Sequence, residues 1–494
     1  MDSKINNGGG SNYQFQRALK PRHVNMIAIG GAIGTGIFVA LGSSLSQAGP
    51  GGTLVAYGII GIMVYFLMTS LGEMATYLPV SGSFETYATR FVDPALGFAL
   101  GWNYWYMSAA TLASELVAAA LVMKFWFPDT HAIVWSALFW VLLLGLNLFS
   151  ARMYGESEFW FAGIKVTTII IFIVVGFLMI VGMLGDHQVG FENWSRGEAP
   201  FVGGIASIIG IFMIAGYSFL GTEVVGITAG ESEDPEKNVP RAIRSVFWRI
   251  LLFYIGSIIV VSFLIPYDDP NLLSSDIENI AVSPFTLVFK RAGLTAAAGV
   301  MNAIILTSVL SCGNSMLYAG SRMLCALAKE GKAPASIGKI NKKGVPINAL
   351  LITAAIGMLA FLTSLAGEGE VYNWLINASG LVGFISWLGI AISHYRFRKA
   401  MKAQQVPLSE LKYKALAFPF GPIFSFVLCM IVIIGQGSFA FSAETIDWLG
   451  MLVTYISIPL FILLWVGYKM VSKSKLIPYD EVDLSRHSDM NESV

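Results

Sequence analysis

The sequence predicts an all-α polytopic membrane protein with twelve transmembrane helices, and three observations predict it. Of 494 residues, 55% are apolar and the mean hydropathy is +0.67. Only 13% are charged, where a soluble domain carries roughly 25%. The apolar residues fall in runs near 24–49, 52–78, 96–127, 132–150, 157–185, 203–230, 249–266, 293–326, 346–366, 371–394, 415–435 and 445–468. Each is close to, or longer than, the roughly 20 residues that a helix needs to cross the hydrocarbon core. This composition excludes a soluble enzyme and a disordered chain, and the balance of 31 basic against 31 acidic residues excludes a basic nucleic-acid binder.

Residues 1–23 are polar with no apolar signal-peptide core, so they read as a cytoplasmic tail. Orientation follows from the basic residues between spans. With the N-terminus inside, 25 Lys and Arg fall on the cytoplasmic side, including Arg249 at the start of span 7. Four (Lys124, Arg196, Lys290 and Arg291) fall outside, and Lys165 and Arg322 lie within spans. Both termini are therefore expected in the cytoplasm, with 471–494 as the second tail. Cys312, Cys325 and Cys429 have no metal-ligand spacing, the five histidines form no cluster with carboxylates, and no phosphate-binding Gly-rich loop occurs. No metal and no enzymatic centre are expected. A transporter, a channel or a membrane sensor remains.

Span 1 contains Gly30-Gly31-Ala32-Ile33-Gly34-Thr35-Gly36, and span 6 contains Gly216-Tyr217-Ser218-Phe219-Leu220-Gly221-Thr222-Glu223. Each glycine costs a helix about 1 kcal/mol against alanine. A single such cluster is equally explained by close packing of helices through small residues. Two clusters, at the first spans of two five-span halves, point to a transporter site built on interrupted helices. Unwinding frees backbone groups that need polar partners. An α-amino acid supplies both signs, a carboxylate for free N–H groups and an ammonium for free carbonyls.

The segments IGGAIGTGIF, QAGPGG, LGEMATYLPVSGSF, GWNYWY, GTEVVGITAGESEDPEKNVPRAI and LYAGSRMLCALAKEGKAP resemble those of bacterial amino acid permeases of the amino acid–polyamine–organocation superfamily. The resemblance runs from about residue 15 to 470. It is strongest to the lysine-specific members, through Gly97–Tyr106, Phe125–Thr130 and Phe247–Tyr267 leading into DDPNLL. It implies a LeuT-type fold with an inverted repeat of 24–185 (spans 1–5) and 203–395 (spans 6–10), helices 1 and 6 broken, and 415–470 (spans 11 and 12) outside it. It further implies import of L-lysine with protons across the bacterial inner membrane, with no cofactor besides the coupling proton. The substrate carboxylate would meet the amides of Thr35 and Gly36, in the loop of Ala32, Ile33 and Gly34. The α-ammonium would meet the carbonyls of Ala32, Tyr217 and Leu220, beside Ser218, with the Tyr217 ring as cover.

Ionisable groups within spans are costly and mark function. Tyr104, Ser108, Thr111 and Glu115 follow one another at helical spacing and share one face of span 3. Glu115 there could neutralise the side-chain ammonium of lysine, or bond to another helix. The resemblance places Glu223, just after the span 6 glycines, at the site with a part in proton-linked gating; it could also pair with a cationic substrate, or tether the interrupted helix. The resemblance gives Lys165 of span 5 the place where sodium-coupled relatives bind sodium, and so a role in proton coupling. Glu231 and Arg322, near the inner ends of spans 6 and 8, read as parts of cytoplasmic-side salt bridges, which would be gate elements if they break during opening. The alternatives to proton symport are an exchanger of basic amino acid for diamine and a membrane lysine sensor, the latter with room for a sensing partner in the bilayer.

Overall fold

The computed structural model describes residues 15–31, 33–38, 40–184, 190–273, 283–291, 293, 295–435, 452 and 455–486. Ala32 and most of 436–454, where span 12 is expected to begin, lie outside the described residues. Among the described residues the chain is helical throughout, without a strand. A lone bridge pairs Leu19 with Ser232.

Among the described residues, eight helical stretches are long and apolar enough to cross a membrane, and three more apolar helices have 16 residues each. In chain order, α1 (Pro21–Met26) continues as a π-helical stretch over Ile27–Gly31, and helix resumes at α2 (Thr35–Phe38). The next helix, α3 (Ala40–Tyr77), is interrupted where Gly49 takes φ 72°, ahead of Pro50. That is where the hydropathy separates spans 1 and 2. A short α4 (Phe84–Phe91) leads into α5 (Pro94–Met123). Asp93 starts α5 by accepting from the Ala95 amide at 2.9 Å, with Pro94 in the first turn. Then come α6 (Ala132–Asn147) and α7 (Ala151–Ile180), capped by Ser150.

The second half opens with α8 (Gly204–Gly210) and α9 (Phe212–Phe219). Gly221 takes φ 85°, a conformation costly for any residue with a Cβ, and α10 (Val224–Thr228) follows. An amphipathic α11 (Pro235–Trp248) runs through a π stretch (Arg249–Gly256) into α12 (Ser257–Leu264). Short helices α13 (Pro270–Leu273) and α14 (Pro284–Arg291) precede α15 (Thr295–Lys329). The chain ends with α16 (Ile347–Gly357), α17 (Thr363–Ala366), α18 (Glu368–Ala403), α19 (Phe420–Gly435) and α20 (Ser457–Ser472).

At the centre stands α5, packed against α15 and α18 and buried along nearly its whole length. Outward faces are apolar: Trp160, Ile171 and Phe177 of α7 are exposed. In water such a surface would be a liability, and in lipid it is the expected exterior. Two sequence boundaries shift. The hydropathy places Lys165 about two turns into span 5, whereas α7 begins at Ala151 and puts it at the helix midpoint. The charged first turns, with Arg152 and Glu156, are helical but not apolar, so hydropathy omits them. Arg249, counted with the cytoplasmic residues, is 1% exposed.

Candidate functional site

The interruption between Gly31 and Thr35 meets the one at Leu220–Glu223 beside the middle of α5. A narrow cavity with room for about one water lies there. Gly34 and Gly36 line it from the first interruption, Tyr217, Ser218 and Leu220 from the second, and Thr111 and Glu115 from α5. The approach is close because Gly36 has no side chain: a Cβ there would fall 2.5 Å from Ser218 Cα.

The lining is polar and incompletely bonded. Glu115 Oε1 accepts from Thr35 Oγ1 at 3.1 Å. Its Oε2 has no hydrogen-bond partner, nor have the hydroxyls of Thr111 and Tyr217. Buried polar atoms are nearly always paired, so three orphans around one cavity mark a place for a polar ligand. Ser218 Oγ bonds Tyr57 OH at 3.1 Å. Tyr104 and Ser108 lie on the same face of α5 and are buried but outside the lining. The Tyr104 ring packs edge-on to Phe84, 4.7 Å between centroids.

Lys165 is fully buried and donates to the carbonyls of Gly30 at 2.9 Å and Ile33 at 2.7 Å. It thus closes backbone acceptors that the first interruption frees. Glu223 is turned inward on its own segment. Its Oε1 accepts from the Gly221 amide at 3.0 Å and its Oε2 from Trp387 Nε1 at 3.2 Å, and it is not among the cavity lining. Farther along, Glu231 Oε1 accepts from Arg322 Nε at 2.9 Å and from Tyr318 OH at 2.8 Å, with both charges buried. The Leu19 amide donates to the Glu231 carbonyl at 3.0 Å, tying the N-terminal segment to this pair.

Several participants escape a reading of the sequence. Cys312 and Met316 of α15 complete the cavity. Glu158 of α7, buried, accepts from Ser311 Oγ at 2.6 Å and Asn314 Nδ2 at 2.7 Å, and Tyr154 bonds Ser315 at 3.1 Å while stacking on Tyr318. A signal was present: Ser311, Asn314, Ser315, Tyr318 and Arg322 form a polar stripe at helical spacing in an apolar span. Among the described residues no three His, Cys, Asp or Glu side chains gather as metal ligands.

The profile of the amino acid permease family matches residues 23–477. The lysine-specific permease LysP of Escherichia coli (strain K12) is 58% identical over 469 residues, covering 95% of this chain and 96% of that protein. Histidine permease HisP of Lactococcus lactis subsp. cremoris (strain MG1363) is 50% identical over 474 residues, covering 96% and 98%. A solved manganese transporter of Eremococcus coleocola superposes with a TM-score of 0.53 at 14% identity, over 91% of this chain and 94% of that one. The last likeness concerns the fold alone.

Proposed function

Because the chain belongs to the amino acid permease family, whose members are transporters and not enzymes, we propose that it imports L-lysine with protons across the bacterial cytoplasmic membrane by alternating access. The observation that carries this reading is the Glu115 carboxylate, buried, with one oxygen unpartnered at a cavity between two helix interruptions. A lysine bound there would place its ε-ammonium at Glu115. Its carboxylate would meet the amides of Thr35 and Gly36, and its α-ammonium the carbonyls of the second interruption. The high identity to a lysine-specific permease supports this cargo.

In this reading the two interruptions are the broken helices 1 and 6 of a LeuT-type repeat of residues 24–185 and 203–395, within twelve spans. Helices α19 and α20 lie outside the repeat, and both tails are cytoplasmic. Lys165 couples the proton: a fixed ammonium on the Gly30 and Ile33 carbonyls occupies a place that a sodium ion would need, and lysine is the cation that can give up its charge. Glu223 holds the second interruption and takes part in gating.

Uptake of radiolabelled lysine into proteoliposomes, with and without an imposed pH gradient, tests the proposal. Accumulation is expected only with the gradient, without sodium, and with luminal acidification. Uptake that requires substrate on both sides would favour exchange. Because a close relative is a histidine permease, histidine is the competitor to include, and weaker competition by it than by unlabelled lysine is expected.

Glu231 and Arg322 form the inner gate in this scheme. Arg322→Met leaves the Glu231 carboxylate buried and unpaired, a loss of about 3–5 kcal/mol. Thermal unfolding in detergent should show a marked drop for the single variant. Much of it should be recovered in Glu231→Gln/Arg322→Met, which removes both charges.

A further inference from the structure

Arg249 is buried to 1% exposure, with no carboxylate in ion-pairing distance among the described residues. Its NH1 group donates to the Ala28 carbonyl at 3.2 Å and its NH2 group to Tyr254 OH at 3.0 Å, and its Nε has no partner. Tyr254 OH in turn donates to the Ser218 carbonyl at 2.6 Å. Beyond these bonds the guanidinium has, among the described residues, only the Tyr254 ring, its centroid 5.7 Å away. A buried cation without a counter-charge is expensive, so that an apolar side chain of similar volume would be more stable. Such violations of good packing collect at functional positions.

The partners of this charge are the two interrupted segments. Ala28 lies in the π stretch ahead of the first interruption, and Ser218 lines the cavity at the second. From the other side, Lys165 holds Gly30 and Ile33. Ala28, Gly30 and Ile33 are therefore gripped by two cations of different chemistry. Arginine stays charged in proteins, whereas a buried lysine can release its proton.

We propose that Arg249 is a positioning residue for the transport cycle: through Tyr254 it fastens the first interrupted segment to the second, permanently, while Lys165 holds the same segment to α7 by charge-assisted bonds that weaken when it gives up its proton. When that hold weakens, Ala28, Gly30 and Ile33 stay with Ser218 and move with it. The inference rests on the transport reading above and adds a residue and a direction of motion to it.

The test uses the full-length protein reconstituted with Arg249→Lys, Tyr254→Phe and the double variant. Arg249→Lys keeps charge but loses the two-headed donor, and Tyr254→Phe keeps volume. Lysine Kd should stay within roughly threefold of wild type while kcat for uptake falls roughly tenfold in each single variant. The double variant should fall no further than the worse single, because both break one chain of bonds. Hydrogen–deuterium exchange, which needs no substrate, should rise at 27–31 and 217–221 together in either variant. Wild-type kcat in either single variant, multiplying losses in the double, a Kd that worsens in step with kcat, or exchange that rises at one segment alone would overturn the proposal. A wild-type protein that takes up no lysine would overturn the transport reading instead, and the paired exchange change would still decide whether Arg249 fastens the two segments.

Discussion

Lys165→Ala is expected to abolish gradient-driven accumulation of lysine while leaving lysine binding, and part of lysine–lysine exchange, in place. The separation follows from where the groups sit. Lys165 donates to Gly30 and Ile33 from α7, whereas the cavity is lined by Gly34, Gly36, Glu115 and Ser218 from other elements. Removing the ammonium removes the proposed proton carrier without deleting a lining group. It also takes a donor from two buried carbonyls; that of Gly30 keeps the Ile33 amide at 3.0 Å, while one left unpaired costs about 1–3 kcal/mol, so some loss of thermal stability accompanies the variant. Parallel measurements of concentrative uptake, counterflow and equilibrium binding separate the outcomes. Concentrative proton-driven uptake that persists in Lys165→Ala would remove Lys165 from coupling. Wild-type accumulation that requires sodium at fixed pH and voltage would contradict the place given to its ammonium.

Glu115→Gln should weaken lysine binding about thirtyfold, the equivalent of about 2 kcal/mol for a lost hydrogen bond between charged groups. Binding of a neutral amino acid such as leucine should change little or improve. In the wild-type site a neutral side chain leaves the buried Oε2 unpaired, and a glutamine amide removes the charge that makes this costly. The ratio of lysine to leucine affinity is therefore the quantity to measure, by competition against labelled lysine and by direct binding. If lysine binds Glu115→Gln as it binds wild type, its ε-ammonium is recognised elsewhere. Because Thr35 Oγ1 donates to Glu115 Oε1, and a glutamine oxygen can still accept that bond, the variant tests the charge rather than the packing.

Of the site, the parts written in short stretches of chain were legible. The glycine clusters at 30–36 and 216–221 mark where regular helix stops, because glycine's poor helix propensity acts locally. Thr111 and Glu115 follow from helical spacing on an apolar background, and both reach the cavity. Spacing alone could not tell that Tyr104 and Ser108, on the same face, stop short of the lining, since how far down a helix a cavity extends depends on its neighbours. Cys312 and Met316 carry no charge and break no pattern, so nothing in their local chain marked them. For Glu223, an acid beside an interruption, the sequence left pairing with the substrate and tethering of the helix both open. Its bonds to Gly221 and Trp387 depend on a tryptophan more than 150 residues away.

By itself the sequence determined that this chain is a helical membrane protein, because hydropathy and periodicity are summed over single segments and need no partner, and its short motifs resemble those of amino acid permeases. It also determined which residues are chemically unusual for a bilayer: Glu115, Lys165, Glu223, Glu231 and Arg322. Only the tertiary structure decided what those charges do to one another. It paired Glu231 with Arg322, left one oxygen of Glu115 open at the cavity, and aimed Lys165 at the Gly30 and Ile33 carbonyls. It also moved Arg249 from an apparent cytoplasmic connection into the space beside Ala28. The physical reason is that the cost of a buried charge depends on the dipoles within a few ångströms of it, and those dipoles come from helices far apart in the chain.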